Sequence, residues 1–309
     1  MRRVAISTNV KERLDFSCGL LDGEGRLVVN APHIPVHLGA LGDCVRRVAA
    51  TLELGPGDVA VTNHPAFGGS HLPDVTVITP VFGEASGDDA PASAATARRA
   101  PLGYLATRAH HAELGGTRPG SMPPAATSLA EEGVVIVPRH LVRAGRAEWD
   151  AIRRLLAEGP YPSRAVDENL ADLEAAVAAN HRGATALLGL ERRYGIATTR
   201  RFMRRLAATA RRALDAVIAS VGEGRYTAEE RLDDGTPLAV AIDVWAGGVR
   251  FDFSGSGPVH PGNLNATPSI VRSVVLYTLR TLSGTDIPLN EGLLRDVEIR
   301  IPEGILDPP

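Results

Sequence analysis

The spacing of apolar residues changes period several times along the chain. Short apolar runs at residues 4–8, 15–21 and 26–29 predict strands, and Asp22-Gly23-Glu24-Gly25 between the last two is a hairpin signal. Leu38, Leu41, Val45, Val48 and Leu52 then recur at helical spacing, predicting a helix over 38–52. Asp58-Val-Ala-Val-Thr62 and Val75-Thr-Val-Ile-Thr79 read as short buried strands, and a third starts at Tyr104. Helical periodicity takes over at 141–156, 167–190 and 198–221, with no proline inside and with Gly222 as a stop signal. Strands return at 224–232, 238–244 and 248–253, separated by Asp233-Asp234-Gly235 and Ala246-Gly247-Gly248, and are followed by a helix at 269–282 and a strand at 297–301. The class expected is α+β, with mixed strands at both ends around a central helical region. Residues 83–101 are rich in Gly, Ala, Ser, Asp and Pro without periodicity, so 85–99 reads as a surface insertion that can be removed.

Composition narrows the function. With 309 residues, 44% of them hydrophobic, the chain can build one large or two modest domains. Aromatics make up 4%, too few for the base-stacking surfaces that grip single-stranded nucleic acid, and a net charge of -3 gives no field that favours nucleic acid or an anionic membrane. Arg200, Arg201, Arg204, Arg205, Arg211 and Arg212 form the one basic cluster; its helical spacing reads as the solvated face of an amphipathic helix. Cys18 and Cys44 are the only cysteines, which suits a reducing compartment better than a disulfide framework. Asn9, Lys11 and Glu12 interrupt the first apolar run, and no stretch approaches the roughly 18 apolar residues of a membrane helix. A cytoplasmic protein is expected.

The chemistry concentrates in two segments. Asn63-His64-Pro65-Ala66-Phe67-Gly68-Gly69-Ser70-His71-Leu72-Pro73-Asp74 sets an imidazole and a carboxylate three residues apart after a Gly-Gly turn. Tyr104-Leu-Ala-Thr-Arg-Ala-His110-His111-Ala-Glu113-Leu-Gly115-Gly116 likewise runs from a strand into metal-capable side chains and a Gly pair. Two strand-linked loops of this kind predict one shared site. Glu12, His71, Asp74, His110 and His111 are candidate ligands, and a carboxylate-imidazole set without thiols suits zinc, manganese, iron or magnesium. The alternative is that His71 and His110 are ordinary histidines satisfied by backbone groups. His33 and His37 flank prolines and read as structural. Gly255, Gly257 and Gly262 fit neither phosphate-loop pattern, and no G-x-S-x-G elbow is present.

Several motifs in order carry a resemblance: Asn9-Val-Lys11-Glu12-Arg13-Leu-Asp15-Phe-Ser17-Cys18, Ala31-Pro-His33-Ile-Pro-Val-His37-Leu-Gly39, Gly68-Gly69-Ser-His71-Leu-Pro-Asp74, Ala109-His110-His111-Ala-Glu-Leu-Gly115-Gly116, Pro119-Gly-Ser-Met122 and Pro288-Leu-Asn290-Glu291-Gly292. Together they resemble the hydantoinase B family, which includes B subunits of ATP-dependent hydantoinases and N-methylhydantoinases, the matching half of 5-oxoprolinase, and the large subunit of acetone-type carboxylases. The resemblance implies metal ligands at Glu12, His71, Asp74 and His110, with His71, Asp74 and His110 catalytic and with His111, Gly68, Gly69, Gly115 and Gly116 near substrate. It implies a divalent metal here and ATP on an A-type partner in a hetero-oligomer, with a small-molecule substrate and neither nucleic acid nor membrane. The activity implied is opening of a cyclic amide at its C–N bond; ketone carboxylation and a non-catalytic partner-binding scaffold are the alternatives. On this reading residues 1–140 hold the metal site, 141–222 are helical and 223–309 are strand-rich, with the family's C-terminal part missing. His64, Glu113 and Ala176 depart from the residues usual in the family.

Overall fold

The computed structural model describes residues 1–31, 34–83, 100–284 and 286–309. Its first sheet has seven strands: β1 (Phe16–Asp22), β2 (Leu27–Ala31), β3 (Val59–Thr62), β4 (Asp74–Val81), β5 (Gly103–His110), β6 (Arg139–Arg143) and β7 (Arg146–Ala147), in the order β2-β1-β5-β4-β3-β6-β7 with antiparallel neighbours throughout. Successive side chains of a strand point to opposite faces, and both faces are covered. On one, Leu41, Cys44, Val45 and Val48 of α2 (His37–Thr51) pack on Ala60, Ile78, Tyr104 and Ala106. On the other, Leu170, Leu173 and Ala176 of α5 (Val166–Tyr194) meet Val59, Val61, Val75 and Val77. Burial on both faces explains why β3 reads as a continuous apolar run rather than an alternating one.

The second sheet has β8 (Gly224–Arg231), β9 (Pro237–Trp245), β10 (Gly248–Asp252) and β11 (Val297–Arg300), in the order β11-β10-β9-β8; β10 and β11 run parallel. Its core is built with α6 (Ile196–Val221) and α7 (Pro268–Leu282), through Leu214, Val217, Val275 and Leu279 against Val244, Val249 and Phe251. Gly222, at φ 87°, ends α6 as expected, and Pro268 opens α7 at a position where a helix needs no N–H. The two layers meet where α7 lies against α2. Gly39 makes this approach possible, because a Cβ there would sit 2.8 Å from the Arg272 backbone carbon. Ser273 Oγ accepts the Gly39 N–H at 3.0 Å and donates to Val36 O at 2.6 Å.

The class is α+β, as expected. Two elements differ from the periodicity. Residues 4–8 are no strand, because Ser7 caps the short helix α1 (Thr8–Lys11) through an N–H bond from Val10. The helix expected over 141–156 begins only at α4 (Trp149–Ala157). Ala144 and Gly145, at φ 48° and 79°, make a tight turn between β6 and β7, and Val142 pairs with Val59 in the sheet. Positive φ at two adjacent residues is hairpin geometry and overrides the apolar pattern. Another short helix, α3 (Leu129–Glu132), lies between β5 and β6. The 85–99 insertion and His33 lie outside the described residues. Among those described, no helix is long and apolar enough to cross a membrane.

Candidate metal centre

The site follows from the register of one strand pair. In the antiparallel ladder of β4 and β5, Asp74 stands directly opposite His110, so both side chains leave the same face at the same end of the sheet. His111 is one residue on and points the other way. There it is 2% exposed, and Asn169 of α5 reaches its Nδ1 at 3.3 Å. The pleat therefore separates two histidines that adjacency in sequence makes look equivalent.

His71 completes the cluster from the loop before β4. One ligand atom each from His71, Asp74 and His110 lie within 4.8 Å of one another. His71 Nε2 is 2.9 Å from His110 Nδ1, His71 Nδ1 is 3.6 Å from Asp74 Oδ2, and His110 Nδ1 is 3.5 Å from Asp74 Oδ1. Asp74 is 1% exposed, whereas the His71 side chain keeps 36% of its surface in solvent and forms the open side of the cluster. Behind Asp74, His37 Nε2 lies 3.1 Å from Oδ2 and His37 Nδ1 lies 3.0 Å from Ser17 Oγ, while Ser70 Oγ donates to the same Oδ2. Oδ1 is buried and has no hydrogen-bond partner.

These contacts set the charge. Burial pushes the Asp74 carboxyl up, but the close approach of His110 and the hydrogen bond from His37, together with the nearby charges of His37 and His71, hold it well below the usual carboxylate range. Burial lowers His71, and the Asp74 charge only partly opposes this. His110 goes the other way: burial would lower it, but its contact with Asp74 and the charge of Asp15 raise it above the ordinary histidine value. The two imidazoles thus differ in proton affinity while their nitrogens face each other.

The loop that carries His71 is rigidly tied. The Asn63 amide is 1% exposed, donates to Leu72 O at 2.8 Å and Val134 O at 2.9 Å, and accepts from Ile136 N at 2.7 Å. Gly68 has φ 81°, and a Cβ there would lie 2.6 Å from the Cys44 amide nitrogen; at Gly69 it would lie 2.6 Å from Asn63 O. Arg108, fully buried, donates from Nη2 to Gly68 O at 2.7 Å and from Nε to Thr76 Oγ1 at 2.8 Å. Gly115 and Gly116 are also close backbone approaches, at 2.1 Å to Tyr161 O and 2.5 Å to Glu132 O for an added Cβ. Glu113 fastens that second loop by accepting from Gly115 N at 2.6 Å and Gly120 N at 3.0 Å while pairing with Arg164 at 2.8 Å.

Glu12 stands at the C-terminal end of α1 with its side chain exposed, and it is not one of the three residues that share the 4.8 Å cluster. Its neighbour Arg13 is close enough for its charge to act on His110. Sequence reasoning read His37 as structural and did not single out Ser70. For Ser70 the only signal is its place beside His71. His37 has none, since its partner is 37 residues away and meets it only through the docking of α2 on the sheet.

A family model described as hydantoinase B/oxoprolinase matches residues 1–309. The chain belongs to the hydantoinase B/oxoprolinase family. It is 42% identical over 323 residues to the 5-oxoprolinase of Saccharomyces cerevisiae, matching all of this chain and 24% of that protein. The ATP-dependent caprolactamase of Pseudomonas jessenii superposes with a TM-score of 0.83 at 25% identity, covering 96% of this chain and 49% of that one. Acetone carboxylase in its nucleotide-free structure shares the fold, with a TM-score of 0.82 at 18% identity over 99% of this chain and 41% of that one. The chain thus spans about a quarter of the yeast relative and about half of the caprolactamase chain.

Proposed function

We propose that this chain holds the metal centre of an ATP-dependent cyclic-amide hydrolase of the hydantoinase, N-methylhydantoinase or 5-oxoprolinase type, which opens the C–N bond of a lactam ring together with an A-type partner that binds ATP. One observation carries the reading: a buried, ionised Asp74 is held between two imidazoles of unlike proton affinity in a chain of this family. 5-Oxoproline and caprolactam, named by the two relatives, are both cyclic amides.

The residues fit a divalent cation. Two imidazole nitrogens and one carboxylate suit a borderline-to-hard ion and leave positions free for substrate. Asp74 Oδ1, buried and without a hydrogen bond, has the unmet acceptor capacity that a cation would fill. Such an ion would polarise a carbonyl or phosphoryl oxygen of the substrate. His37 and Ser70 fix Asp74 Oδ2 so that the carboxylate cannot rotate away, and half-open His71 marks the side from which a ring would enter. Glu12, exposed at the end of α1 and outside the three-residue cluster, is the fourth ligand of this proposal.

The test is reconstitution. With an A-type partner, ATP and a divalent metal, the chain should convert 5-oxoproline or a hydantoin to its ring-opened product, and without the partner it should hydrolyse no ATP. Consumption of bicarbonate with a ketone, and no ring opening, would move the protein to the carboxylases. Complex formation with neither reaction would leave a scaffold.

A further inference from the structure

A cavity of about 530 Å³ lies apart from the histidine-aspartate cluster and shares no residue with it. Five arginines line it, each from a different piece of the fold: Arg26 from the β1–β2 turn, Arg46 from α2, Arg204 from α6, Arg272 from α7 and Arg295 from the segment leading into β11. Asp22 and Glu291 are the acidic residues in the lining, and both are already engaged. Asp22 accepts Arg26 Nε at 2.9 Å, and Glu291 accepts Arg46 Nη1 at 2.9 Å. No described carboxylate forms an ion pair or hydrogen bond with Arg204, Arg272 or Arg295, although Arg272 is near enough for its charge to act on Glu291.

The floor of the cavity is built, not incidental. Glu291 is wedged so closely against α2 that a Cβ on Gly42 would overlap its carboxylate, and Arg46 also donates to Gly25 O at 3.1 Å. A Cβ on Gly292 would strike Ala207 O. An arginine stripe on one helix is ordinary solvated surface. Guanidinium groups brought to one cavity from three separate elements, none of them bonded to a described carboxylate, make a field that a bound anion would relieve.

We propose that this cavity binds a small polyanion carrying phosphoryl groups, at a site separate from the metal centre. Guanidinium forks match phosphate and carboxylate oxygens pairwise. Three unpaired forks from three directions suit the several peripheral oxygens of a tetrahedral oxyanion better than the two of a planar carboxylate. The inference does not depend on the cyclic-amide reading.

The experiment titrates the 309-residue chain with pyrophosphate by calorimetry, with chelator present and no added metal. Saturable 1:1 binding is expected, and Arg204→Gln with Arg295→Gln, both exposed, should weaken it at least tenfold while near-UV circular dichroism stays unchanged. The equal loss of charge in Arg192→Gln with Arg193→Gln, at the far end of α5, should leave affinity as it was, and succinate should bind at least tenfold more weakly than pyrophosphate. No saturable binding, equal weakening by both arginine pairs, or loss of binding on His71→Ala would overturn the site. Succinate binding as tightly as pyrophosphate would overturn its phosphoryl preference.

Discussion

The histidine-aspartate cluster and the arginine-lined cavity solve opposite electrostatic problems. At the cluster, one carboxylate is 1% exposed and three histidines and a serine surround it, so its position is over-determined and its charge is stabilised by its neighbours. In the cavity the charges are cations on long, partly solvated stems, and their own acids neutralise only two of the five. The first arrangement is pre-organised: little has to move when a ligand arrives, and any change to its supports is felt at once. The second tolerates loss of a single group, because water screens what remains. Substitutions at the cluster should therefore be steep and those at the cavity shallow.

The largest expected effect is at Asp74. Asp74→Ala should abolish metal binding and ring opening together, beyond the roughly 10- to 100-fold typical when only a residue behind the ligands is changed. Retained one-to-one metal binding in that variant, measured by calorimetry, would place the ion elsewhere. Asn63→Ala removes three buried hydrogen bonds that hold the His71 loop and should cost about 3 kcal/mol of stability. A urea midpoint unchanged within error would show that the loop is held by its glycine contacts instead.

His111 supplies a pH test on the opposite face of the sheet. Burial lowers it to about 4 from its ordinary 6.5. Between those values the folded chain binds fewer protons than the unfolded one, so stability rises with pH there and is lost on acidification through the same window. The shift corresponds to a ceiling on the order of 3 kcal/mol at the acid end. His111→Gln should flatten the chelated protein's stability profile between pH 6.5 and 4; an unaltered slope would mean that other groups carry it. The smallest effect expected is at His37. His37→Asn should lower metal affinity roughly 10- to 100-fold with near-native stability, since it orients Asp74 without joining the ligands. Affinity equal to wild type would show that Ser70 alone fixes the carboxylate.

The same contrast explains what was legible in the sequence. His71 and Asp74 are three residues apart and His110 ends a strand-like run, so local pattern pointed at all three, and the register of one hairpin-like pair brought them together. The helices were legible where period and stop signals agree, as at Gly222. Residues 141–147 were not, because pairing with β3 turns an apolar run that fits a helix into β6 and its turn. The place of His37 behind Asp74 and the arginine cavity were invisible for a related reason. Arg204 reads as one more cation on a helix face until α7 and the 291–294 segment bring Arg272 and Arg295 beside it, and no spacing rule encodes such long-range packing.

The proposed metal centre places one ion among His71, Asp74 and His110. An anomalous difference map from crystals soaked with manganese, recorded on both sides of its absorption edge, tests it most directly. The expected result is a single strong peak about 2.0 to 2.3 Å from one nitrogen of each histidine and an Asp74 oxygen, with Glu12 drawn in as the fourth ligand. A peak bound elsewhere, or none among these three residues at saturating metal, would contradict it.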